Sequence, residues 1–71
     1  MQSEDLHEIR DRVRAAWTSR RACGLFGIAA TLRIERLIAL DAHGHIERHD
    51  AVRQALEAEA VALCFPRLRW P

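Results

Sequence analysis

From Leu25 to Leu40 the chain is apolar almost without pause: Leu25, Phe26, Ile28, Ala29, Ala30, Leu32, Ile34, Leu37, Ile38 and Leu40, with charge confined to Arg33, Glu35 and Arg36. In a chain of 71 residues this segment has to lie at the centre of whatever forms, because a body so small has room for one core only. Two periods compete within it. As a helix, Ala30, Ile34, Leu37 and Ile38 share one face, and Leu25, Ile28, Ala29 and Leu32 widen that face toward an all-round apolar helix. As a strand, Leu32, Ile34, Ile38 and Leu40 alternate to one side, and Asp41 to His45 could end a hairpin that returns through Ile46. The alanines and the Arg33, Glu35, Arg36 charges suit a helix better than β-branched pairing does. The sequence therefore predicts a helix over Gly27 to Leu40, with an α+β fold carrying a hairpin over 32–49 as the alternative.

The flanking segments are helical by pattern. Ser3 can cap a helix whose first turn carries Glu4 and Asp5, where carboxylates complement the positive end of the dipole. Leu6, Ile9, Val13, Ala16 and Trp17 recur at steps of three and four, forming one stripe, and Gly24 is a plausible stop. A first helix is expected over Ser3 to Ala22. After the break at Asp41-Ala42-His43-Gly44-His45, Asp50 can cap a third helix reaching Cys64. There Ala51, Ala55, Ala58 and Ala62 make a ridge of small side chains that permits close helix approach. Pro66 stops it, and residues 65–71 read as an extended tail. The expectation is an all-α fold over residues 1–71, a small three-helix domain that forms a helical homodimer.

Composition narrows the function classes. An apolar fraction of 49% with 30% charged residues is too apolar for a disordered tail and too charged for a membrane span. Eleven basic and ten acidic residues leave a net charge of +1, so any contact with nucleic acid or anionic lipid needs a local patch. The acidic N-terminus does not look like a secretory signal, and Cys23 and Cys64 lack CxxC spacing, so a cytoplasmic chain with reduced thiols is expected.

The candidate chemistries are few. His43, His45 and His49 crowd into seven residues beside Asp41 and Asp50, donor types that zinc accepts, but the spacing of a four-ligand site is missing, and no metal or other cofactor is expected. Ser3, Thr18, Ser19, Thr31, Cys23 and Cys64 sit in no nucleophile elbow, and Gly24 with Gly27 makes no phosphate-cradling loop, so an enzyme is not expected. Arg14, Arg20, Arg21, Arg33 and Arg36 could form a phosphate-binding patch, and helix, short turn, helix resembles helix-turn-helix geometry in outline. A small DNA-binding regulator is therefore the alternative reading. Protein association explains more of the sequence, since three short helices must cover an excess of apolar side chains, and such an excess commonly becomes an interface. The leading expectation is a regulatory or adaptor protein, of the kind that acts as an inhibitor by occupying a partner's surface. Trp17, Ile34, Leu37, Ile38 and Trp70 are its expected contact residues.

Overall fold

The computed structural model describes residues 5–64. Three helices follow one another, α1 over Leu6–Thr18, α2 over Gly24–Ala42 and α3 over Arg48–Cys64. The segment considered for a hairpin is helical as far as Ala42 and turns only at residues 43–47. The helical period wins because Ile34 and Leu37, one turn apart, both point into the core with Ala30. The expected boundaries shift at each break. Asp5 caps α1, its carboxylate accepting from the His7 amide at 3.1 Å; Ser3, the expected cap, lies outside the described residues, as do the tail 65–71 and Trp70. Gly24 opens α2 rather than closing α1, and α3 begins two residues ahead of Asp50, which sits in its first turn.

Both connections leave their helix by the same device. After α1, Arg20 takes the left-handed conformation at φ 66°; its amide donates to the Trp17 carbonyl at 3.2 Å, and the Arg21 amide to Ala16 at 2.9 Å. After α2, Gly44 adopts φ 70°, its amide donates to Asp41 at 3.1 Å, and the His45 amide to Leu40 at 2.9 Å. These are paired Schellman closures that satisfy carbonyls the helix end would leave orphaned. One uses glycine at the left-handed position, and the other uses arginine.

The core is built from Leu6, Ile9 and Val13 of α1, Ala30, Ile34 and Leu37 of α2, and Ala51, Ala55, Ala58 and Ala62 of α3. The alanine ridge expected in α3 is thus its buried face, which brings that helix close to both others. Trp17, Ile38, Ile46, Val52 and Leu56 pack against this centre from its edge.

At one end α1 and α2 approach still closer. A Cβ added at Gly27 would stand 2.5 Å from the Trp17 Cβ and 2.6 Å from Cγ and Cδ1, so only glycine admits the tryptophan there. The indole N–H donates to the Thr31 hydroxyl at 3.1 Å, and that hydroxyl donates to the Gly27 carbonyl at 2.8 Å. The buried threonine is satisfied on both sides, as a polar group inside a small core has to be. Ion pairs tie the outer faces. Arg12 makes a bidentate contact with Glu59, both bonds at 2.8 Å, joining α1 to α3. Arg14 reaches Glu35 of α2 at 3.3 Å, and Arg48 meets Asp41 at 3.0 Å across the second connection.

Candidate interaction surface

The first half of α2, residues 24–32, carries no charge on any side. A helix apolar all round has to be covered all round, yet α1 and α3 cover only one side of it. Gly27, Ala30 and Thr31 face inward, whereas Leu25 is 74% exposed, Leu32 62%, and Ile28 is also open. Leu25, Ile28 and Leu32 stand at steps of three and four and so make one outward ladder. Beside it, Phe26, Ala29 and Ala30 of α2 and Ala58, Val61 and Ala62 of α3 line a groove of about 360 Å³, with Arg33 and Glu57 also on its wall. Val61 and Leu63 add open apolar surface on α3.

The contact residues expected from the sequence divide differently. Ile34 and Leu37 are buried in the core and Ile38 packs at its edge, so these three hold the monomer together. Trp17 is half-buried and spends its indole N–H on Thr31. The open ladder was missed because an apolar run with no charged member gives periodicity little to orient. The orienting signal lies just beyond the run. Arg36 is exposed, and stepping back from it by four, four and three marks the solvent side as Leu32, Ile28 and Leu25.

The arginines proposed for phosphate divide too. Arg14 is paired with Glu35. Arg20 and Arg21 lie in the connection entering α2, and Arg33 and Arg36 lie on α2 itself; all four are exposed and meet no carboxylate among the described residues. Read as a recognition helix, α2 would turn Leu25, Ile28 and Leu32 toward the bases from its N-terminal half, where hydrogen-bonding side chains are needed.

The histidines do not converge. His43 and His45 face each other in the second connection, ring centroids 6.2 Å apart. His49 stands instead between Glu47 at 3.4 Å and Asp50 at 3.5 Å. Glu47, His49 and Asp50 have ligating atoms within 4.8 Å of one another and could share a cation, on an open surface. The described hydroxyls are engaged locally: Thr18 donates to the Arg14 carbonyl at 2.7 Å, Ser19 to Ala16 at 3.2 Å, and Thr31 to Gly27. Cys23 is buried ahead of α2, and Cys64 is exposed at the end of α3. Among the described residues, no helix is long and apolar enough to cross a membrane. No protein-family model, curated protein or solved structure matches this chain.

Proposed function

We propose that this chain is a small non-enzymatic interaction module of the cytoplasm, a regulatory or adaptor protein that docks a partner protein on the outer face of α2 and the adjoining groove. The carrying observation is the ladder Leu25, Ile28 and Leu32, held open to water on a helix whose opposite face is firmly packed. Leaving such a surface uncovered is costly and uncommon in a free monomer. The hydroxyls of Thr18, Ser19 and Thr31 are each bonded to a backbone carbonyl of their own helix, with no base beside them among the described residues.

A second copy of the chain is the competing occupant, and the charges speak against it on this face. Two-fold pairing with parallel α2 helices sets Arg36 against Arg36. Antiparallel pairing brings Arg36 toward the partner's α2 N-terminus, the positive end of a helix with no acid in its first turn. Site-specific photo-crosslinking in native cells tests the reading. A photo-activatable residue in place of Leu25 or Leu32 is expected to give a discrete protein adduct, whereas the same residue in place of Glu8, exposed on α1, gives none. Adducts of equal yield at all three positions, or none at any, would overturn it. An adduct of twice the chain mass would assign the face to a homodimer.

A further inference from the structure

We propose that the partner segment is an acidic amphipathic helix, with apolar residues at steps of three and four and carboxylates on both flanks. This rests on the reading above and adds the partner's chemistry. Two independent features of the surface specify it.

The first is shape. Leu25, Ile28 and Leu32 span two turns of helix, about 10 Å of rise, and present the spacing that a second helix meets with its own i, i+3, i+4 and i+7 side chains. The adjacent groove is concave, and Ala29 and Val61 on its wall suit one protruding apolar side chain. A bilayer surface would use the ladder and leave the groove without a purpose.

The second is charge. Nine arginines lie among the described residues, and five have carboxylates: Arg10 with Asp11, Arg12 with Glu59, Arg14 with Glu35, Arg48 with Asp41 and Arg53 with Glu57. The four without one are Arg20 and Arg21 before the ladder and Arg33 and Arg36 at its far end. The N-terminus of α2 adds to the first pair, since Cys23 offers no side-chain cap and no acid sits in the first turn. Along the chain the ladder therefore lies between two pairs of exposed arginines, of which Arg21 also donates its Nε to the Ser19 hydroxyl at 2.9 Å. Arginine makes bidentate contacts with carboxylates, and a complementary rim both steers a partner and fixes its register. Nucleic acid would satisfy these arginines but would leave three aliphatic side chains facing a polyanion, with nothing apolar to cover them.

The experiment uses the full chain and three synthetic peptides of about 18 residues, long enough to hold a helix on docking. One carries leucines at helical spacing flanked by glutamates, one has lysines for those glutamates, and one scrambles the first. The acidic peptide is expected to bind saturably at one to one, more weakly as salt rises, and about ten-fold more tightly than the lysine version. Leu32→Asp should weaken it by a similar factor while leaving the far-ultraviolet dichroism of the chain unchanged, because that side chain is already in water. Arg33→Glu with Arg36→Glu should lower affinity for the acidic peptide and raise it for the lysine peptide. A flat titration with the acidic peptide, equal binding of the charge-reversed pair, or indifference to the arginine reversal would overturn the proposal. Binding confined to vesicles of anionic phospholipid would overturn it in favour of a membrane surface. Position-specific crosslinks at Leu25 and Leu32 beside any of the first three outcomes would leave the docking face standing and remove only its acidic partner; their absence would remove both.

Discussion

At position 27 a single methyl group decides whether α1 can lie where it does. The nearest atom to an added Cβ is the Trp17 Cβ, which cannot swing aside as a side-chain tip would, so Gly27→Ala has to move a helix. Overpacking of this kind costs about 1–3 kcal/mol, and Gly27→Ala is expected to lower the melting temperature by several degrees for each kilocalorie. Calorimetry checks it, and an unchanged transition would show that the two helices have slack. The two left-handed helix ends give a matched pair of further expectations. An L-residue held at positive φ costs about 1–2 kcal/mol, so Arg20→Gly should stabilise the chain by about 1 kcal/mol, and Gly44→Ala should destabilise it by a similar amount. Urea unfolding of both variants measures the two signs. Gly44 was readable as a turn residue from the sequence. Arg20 was not, because arginine has no preference for that conformation, and Gly24 nearby offered a more plausible stop that in fact begins the next helix.

Helix by helix, legibility followed contrast. In α1 the apolar stripe is bordered by charges on both sides, and Leu6, Ile9, Val13 and Ala16 are buried as their spacing required. In α3 the ridge of alanines was plain from sequence, and its burial fixes how near the neighbours come. Ala55→Leu, at a fully buried position, is accordingly expected to cost about 1–3 kcal/mol, whereas Ala60→Leu on the open side should stay within about 0.5 kcal/mol. A thermal melt of each distinguishes them; equal shifts would mean that α3 can slide outward at no cost. The Arg12–Glu59 contact between α1 and α3 invites a double-mutant cycle. Arg12 is partly in water, so the coupling should be about 1 kcal/mol or less and fade with added salt. In α2 contrast vanishes over residues 24–32, and only the charges just beyond that stretch separate Ile34 and Leu37, which face the core, from Leu25 and Leu32, which do not.

For the molecule as a whole, the mismatch between apolar content and a 71-residue body was legible as an excess of surface. Its position depended on how three helices meet, to which the charge at Arg36 was the one local pointer. The histidines show the same limit from the other side. Their crowding in sequence offered donor types without a four-ligand spacing, and the turn at residues 43–47 sends His49 toward Glu47 and Asp50. Equimolar zinc is expected to leave the thermal transition where it is, since a cation held by exposed groups alone gains little from folding. A chelator-reversible rise, lost in His49→Ala, would make that corner a metal site. The closeness of Trp17 to Gly27 has one more consequence, an optical one. The chain has only two indoles, Trp17 and Trp70, and the first is pressed against the backbone of a neighbouring helix with its N–H donated to Thr31. In a Trp70→Phe chain, the emission wavelength of the remaining indole would report the docking of α1 on α2, and separation of the two helices would appear as a red shift with no added label.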